Sequence, residues 1–275
     1  MFFSEKIFRG TYSFFFLVAG VRCPNCNFKV SPDEVNCPSC GAKIGEETIE
    51  RLLPLLKKPP EEPASPLPIY YRLLAGIIKP SVVFSNIAIS PDPVGPFIVA
   101  FLNGFLLTVY FSSVLNKIFF MDMFSLLVFK SMSSLLSVEL FYINITFAFL
   151  ELVLVSFLYW LPFKLLGRGG KFNSFISMVG YAYVLVVLGE LFPIASTSGS
   201  VIFMPKMLPL LQLLILQLHL YSAWVLGKNT KLVCLLGVAF MLTPGIRKIT
   251  KLSTSLSLVS SYVIMSIAII FLAGI

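Results

Sequence analysis

The sequence predicts an all-α polytopic membrane helix bundle of about five spans, with a small β-type ribbon ahead of it. Three observations predict this. Hydrophobic residues make up 57% of the 275 and charged residues only 12%, about half of the roughly 25% charge that a water-facing domain carries. Apolar runs near or above the roughly 18 residues that mark a spanning helix recur from residue 96 onward. Four of the five cysteines fall in two CxxC pairs between residues 23 and 40.

The first twenty residues, MFFSEKIFRGTYSFFFLVAG, put basic residues before a short apolar run, in the manner of a signal peptide. Cleavage after Gly20 would send the cysteines into an oxidising space, and the run is short for a span. The expected readings of 1–20 are an interfacial anchor or an upstream extension of a chain that starts near Val21.

Residues 21–44 carry the pattern Cys23-x2-Cys26-x10-Cys37-x2-Cys40. A two-residue gap turns each pair tightly enough for both sulfurs to reach one ion, and zinc accepts four thiolates tetrahedrally. Pro24 and Pro38 preset φ within each turn, and Asn27 and Gly41 follow where the backbone often needs positive φ. Phe28-Lys29-Val30 and Ala42-Lys43-Ile44 are then expected to pair as short strands. Four cysteines close the coordination shell, which predicts a structural Zn2+ rather than a catalytic one; rubredoxin-like iron is the rival for such knuckles. Thiolate metal sites belong in a reducing compartment, so the ribbon is expected on the cytosolic side.

Residues 45–68 begin with GEETIERLLPLL, an expected short acidic helix ending at Pro54. PLLKKPPEEPASPLP follows, six prolines in fifteen residues, which predicts a stiff, extended linker without packed elements. Residues 69–275 form the membrane domain. Its entry, IYYRLLAGIIKPSVVFSNIAIS, repeats apolar residues at helical spacing around Arg72 and Lys79, and Pro80 is placed to start a second short helix. Such a pair either lies in the cytosolic interface or packs beneath the bundle.

The apolar runs that follow cover 96–115, 140–161, 172–194, 208–226, 232–243 and 256–274. Hydropathy allows six spans. Lys164, Arg168 and Lys171 mark an inside loop, and Arg247, Lys248 and Lys251 a second one. Placing both inside requires five spans, with one of the two runs in 208–243 re-entrant, interfacial or one arm of a helix broken at GKNTK. The net charge of +8 sits mostly between the apolar runs: residues 96–275 hold eleven Lys/Arg against four Asp/Glu. That distribution suits helix orientation and anionic membrane lipids. It argues against nucleic acid, because no basic stretch is both dense and accessible.

Glu151, Glu190 and His219 fall inside apolar runs, and an ionisable group there is a functional-site candidate. Glu151 with His219 would make a proton or cation relay; the bland alternative is a protonated Glu151 hydrogen-bonded between helices, with Glu190 reaching the headgroups. No hydrolase, kinase or nucleotide motif is present, so the chain is expected not to be an enzyme.

Four stretches together resemble the Yip family of membrane proteins, named for interaction with Ypt GTPases. They are YYRLLAGIIKPSVVFSNIA; Asp92-Pro93-Val94-Gly95-Pro96-Phe97, similar to the family's D-L-Y-G-P-F motif; LLGRGGKFNSFISMVGYAYV with Gly180-Tyr181; and GIRKITKLSTSLSL. Pro93 and Val94 stand where the family has Leu and Tyr. The resemblance implies five spans, a cytosolic N-terminus and no catalytic residues, and Rab-type GTPases as partners in eukaryotic members. A ribbon fused ahead of such a domain resembles an archaeal or bacterial arrangement, which implies a prokaryotic, archaeal cell membrane. The expected role is to organise membrane or to recruit a cytosolic protein through the ribbon; the alternative is a transporter or channel.

Overall fold

Cys26 lies between two short antiparallel strands. β1 (Val21–Arg22) pairs with β2 (Lys29–Val30), Val21 opposite Val30 and Arg22 opposite Lys29. The computed structural model describes residues 21–22, 26–30, 37–41, 48–57, 65–121, 123–197, 199, 201–204 and 209–273. The chain divides into two compact units, Met1–Leu52 and Leu53–Ile275. The expected partner of β2 was 42–44. Among the described residues β2 pairs with β1; 42–44 and the 1–20 extension lie outside the described residues. The first unit ends in α1 (Thr48–Leu52), the short helix expected before Pro54.

The second unit opens where a free linker was expected. Pro54–Leu56 instead forms a 3-10 turn with Leu56 fully buried. Ser81 Oγ donates to the Leu55 carbonyl at 2.5 Å and Arg247 Nη1 to the Leu56 carbonyl at 2.8 Å. At the other described end of the stretch, Asn86 Nδ2 donates to the Ser65 carbonyl and Asn86 Oδ1 accepts from the Leu67 amide. Prolines remove donors but leave carbonyls that need partners when buried. Polar side chains of the bundle supply them and pin the stretch down.

Two short helices follow, α2 (Ile69–Ile78) and α3 (Pro80–Ile89), divided at Pro80 as expected. Their fates differ. α2 exposes Tyr70, Leu74 and Ile78, whereas α3 buries Val83, Phe84 and Ile87 completely against α6 and α8, described next. Packing beneath the bundle therefore holds for α3, and an apolar outward face remains only on α2.

Among the described residues, five helical stretches are long and apolar enough to cross a membrane. α4 (Val94–Asn116) is the first and α5 (Met123–Leu165) the second. α6 (Phe172–Ala182) and α7 (Val184–Thr197) run on as the third, Phe172–Thr197. α8 (Pro209–Thr250) and α9 (Thr254–Ala273) complete the set. Helices satisfy every backbone group internally, which a hydrocarbon medium demands. The chain is an integral, multi-pass membrane protein.

Two of these helices exceed what hydropathy outlined. α5 starts at Met123, well before the apolar run at 140, and at 43 residues it extends about 65 Å. The intervening serines are no obstacle. Ser131, Ser133, Ser134 and Ser137 each turn the hydroxyl onto a carbonyl three or four residues back. α8 is 42 residues long and runs unbroken through GKNTK, which removes the re-entrant, interfacial and broken-helix readings of 208–243. Its polar residues find partners: Thr230 donates to the Leu226 carbonyl and Lys228 lies over Trp224, both one turn back on α8, and Lys231 reaches Glu151 of α5.

At one end of the bundle β3 (Ile118–Phe120) and β4 (Ile202–Met204) pair in parallel, joining the loop after α4 to the loop before α8. Lys117 Nζ donates to the Thr197 carbonyl beside them. Asp92 and the glycine loop lie at the opposite end. There Gly167–Gly170 and Ile249–Lys251 line one cavity of about 470 Å³, so the two basic loops share an end, as five spans require.

α4 and α5 approach closely at Gly104, where an added Cβ would lie 2.7 Å from Ile145 Cα and 2.8 Å from the Asn144 carbonyl oxygen. Gly104→Val is expected to force α4 and α5 apart and cost about 1–3 kcal/mol, read as a lower unfolding midpoint in detergent. Gly227→Ala, whose Cβ would lie 3.4 Å from the Tyr110 ring, should leave the midpoint unchanged.

Candidate functional site

Asp92 stands one residue ahead of the N-cap of α4, where a helix leaves amides without partners. Its carboxylate accepts from the Val94 amide at 3.0 Å and the Gly95 amide at 3.4 Å. The same carboxylate accepts from the Tyr181 hydroxyl at 2.6 Å, and the Asp92 carbonyl accepts from Ser177 Oγ at 2.9 Å. Two glycines permit the approach. A Cβ on Gly95 would collide with the Tyr181 phenol, and one on Gly180 with the Pro96 ring. The residues singled out in sequence, Asp92, Gly95, Pro96, Gly180 and Tyr181, thus meet in one joint between α4 and α6. Arg72 of α2 is buried beside it, donating from Nη2 to Asn86 Oδ1 at 3.2 Å, with its guanidinium 5.9 Å from the Tyr181 ring centre.

A second polar centre lies within the spans. Glu151 of α5 is 6% exposed. Lys231 Nζ of α8 approaches its Oε2 at 2.5 Å, and the Tyr183 hydroxyl donates to its Oε1 at 3.2 Å. A carboxylate so deep needs a counter-charge, and Lys231 supplies it from another helix. Glu190 of α7 is also buried, and its Oε2 has no hydrogen-bond partner among the described residues. Asn144 donates to Thr108 Oγ1 at 3.2 Å, which ties α5 to α4.

His219 stands elsewhere. Its Nδ1 donates to the Ile215 carbonyl one turn back at 2.8 Å, and it lines a cavity of about 480 Å³ with Lys117, Thr197 and Ser222. The structure brings Glu151 together with Lys231 rather than with His219. Lys231 was passed over in the sequence because GKNTK read as a break between runs. The signal that finds it is a lysine on an apolar helix, which needs an acidic partner on a neighbour.

In the first unit the sulfurs of Cys26, Cys37 and Cys40 all lie within 4.8 Å of one another. Four thiolates around zinc at about 2.3 Å would stand about 3.8 Å apart, so these three are spaced to share one ion. Asn27 and Gly41 both adopt positive φ, 62° and 70°, and the Gly41 amide closes the second knuckle onto the Cys37 carbonyl at 2.8 Å. Cys23 lies outside the described residues.

No protein-family model, no curated protein and no solved structure matches the chain.

Breaking the intramembrane pair tests its role. Lys231→Met leaves the Glu151 carboxylate buried without a counter-charge and is expected to cost about 3–5 kcal/mol, seen as a fall in the unfolding midpoint. Lys231→Met combined with Glu151→Gln removes both charges and should recover most of that loss.

Proposed function

We propose that this chain is a non-enzymatic, Yip-like membrane protein whose bundle is a rigid platform for a cytosolic zinc ribbon that recruits a protein partner. One observation carries the reading. Two of the four stretches that resemble family motifs, Asp92–Phe97 and Gly180-Tyr181, form a single hydrogen-bonded joint. Residues 89 apart in sequence that make one joint behave as one motif. The joint caps a helix and locks two spans.

Orientation follows from charge. Lys164, Arg168, Lys171, Arg247, Lys248 and Lys251 lie in or beside the two loops at the Asp92 end, and the positive-inside rule assigns that end to the cytosol. Cys23, Cys26, Cys37 and Cys40 would hold one Zn2+ with no open position. The metal's contribution is to fold a segment too small to fold alone. Phe28, about half exposed next to the first knuckle, gives the ribbon an apolar point of contact. A GTPase is the partner class that the family resemblance implies.

A second reading, a transporter or channel, draws on one feature, the buried Glu190 with its unpartnered oxygen. Ion flux in liposomes that Glu190→Gln abolishes would favour it.

The purified chain is expected to contain one zinc, and Cys37→Ser to lose it. A photo-crosslinking residue at position 28 in native membranes should capture a cytosolic protein, and Cys37→Ser should abolish the capture. The same adduct after Cys37→Ser, or none from the wild type, would overturn recruitment by a folded ribbon.

A further inference from the structure

Between α5 and α8 a crevice of about 600 Å³ opens sideways from the bundle, within the size range of ligand-binding pockets, about 300–1,000 Å³. Leu107 and Phe111 of α4, Leu154 of α5, Leu235 of α8 and Leu272 of α9 make an almost wholly apolar lining. Phe147, Leu150 and Trp224 line it too and are about half exposed. In a membrane protein, a sideways mouth faces lipid.

The polar groups in this crevice are few and one-sided. Glu151, its single carboxylate, is already engaged by Lys231 and Tyr183. Lys231 keeps ammonium hydrogens beyond the one it gives to Glu151, since an ammonium carries three. Lys228 lies three residues away on the same face of α8, a spacing that makes neighbours. It has no acidic partner among the described residues and rests with Nζ 4.5 Å from the Trp224 ring centre. The lining of the crevice therefore holds two ammonium groups against one carboxylate; a second carboxylate, Glu190 of α7, is buried near Lys231 without lining it.

The lysines sit partway along the crevice. α5 and α8 both run from the β3–β4 end, so Ile143, Phe147 and Trp224 lie on that side of Lys228 and Lys231, and Leu154 and Leu235 on the far side. A cationic patch bordered by apolar lining suits an amphiphile with an anionic head and a hydrocarbon tail.

We propose that this crevice binds one anionic phospholipid from the leaflet at the β3–β4 end, its phosphate between Lys228 and Lys231 and one acyl chain along Leu154 and Leu235. Lys231 then serves two anions, the Glu151 carboxylate and the lipid phosphate. Lys228 gives the preference for an anionic head, and Trp224 holds Lys228 at the mouth. The site is independent of the ribbon and of the Asp92 joint.

The test uses the full chain in nanodiscs of phosphatidylglycerol mixed with phosphatidylcholine. The lipid retained after transfer to detergent is counted by native mass spectrometry. The wild type is expected to keep one phosphatidylglycerol per chain in preference to phosphatidylcholine. Lys228→Ala should reduce that retention about five- to tenfold. Ile143→Trp, which enters the crevice from an exposed position on its rim, should abolish retention with the unfolding midpoint unchanged. Arg168→Ala, at the other end of the bundle, should have no effect. Equal retention of phosphatidylcholine, wild-type retention in either crevice variant, or loss in Arg168→Ala alone would each overturn the site.

Discussion

Every part of this bundle near the Asp92 end is arranged around one carboxylate. Asp92 accepts the first amides of α4 and the hydroxyl of Tyr181, and its own carbonyl takes Ser177 Oγ. Charge-assisted hydrogen bonds of this kind are about twice as strong as neutral ones. They need a close approach that only missing side chains permit, and Gly95 and Gly180 provide it. Once α4 and α6 are locked there, α3 has a fixed floor to pack beneath. The proline-rich stretch then gains Ser81, Asn86 and Arg247 as partners.

The middle of the bundle meets a different constraint. Lipid offers no water to a stranded polar group, so most polar groups either find a partner on another helix or turn back on their own, Glu190 Oε2 being an exception among the described residues. Glu151 takes the first course with Lys231 and Tyr183, and Tyr159 does likewise, donating to the Ser261 carbonyl at 2.8 Å. The serines of α5 and His219 take the second. The crevice between α5 and α8 belongs with the first group, because its lysines offer ammonium groups that a lipid phosphate can partner.

Local chemistry made much of this legible. Pro80 divided α2 from α3, the apolar runs read together with the basic loops pointed to five spans, and Asn27 and Gly41 marked positions of positive φ. The features that escaped are those set by distant partners. The parallel pairing of Ile118–Phe120 with Ile202–Met204 joins two loops more than eighty residues apart, and three-residue apolar runs carry no period that announces it. GKNTK read as a break because its polarity was weighed without the neighbours that satisfy it. The proline-rich stretch read as a free spacer because composition cannot show that Leu56 has a buried site waiting. Among candidate site residues, the sequence offered Glu151 but not Lys231, and it grouped His219 with a carboxylate that the fold places elsewhere.

The joint at Asp92 is the most direct point of attack on this account, through a double-mutant cycle of Asp92→Ala and Tyr181→Phe followed by unfolding in detergent. If the two residues act through their shared hydrogen bond, the cycle should show a coupling of about 1.5–3 kcal/mol, the worth of a hydrogen bond to a charged group. Strictly additive effects would contradict it and would mean that α4 and α6 are held together by packing alone.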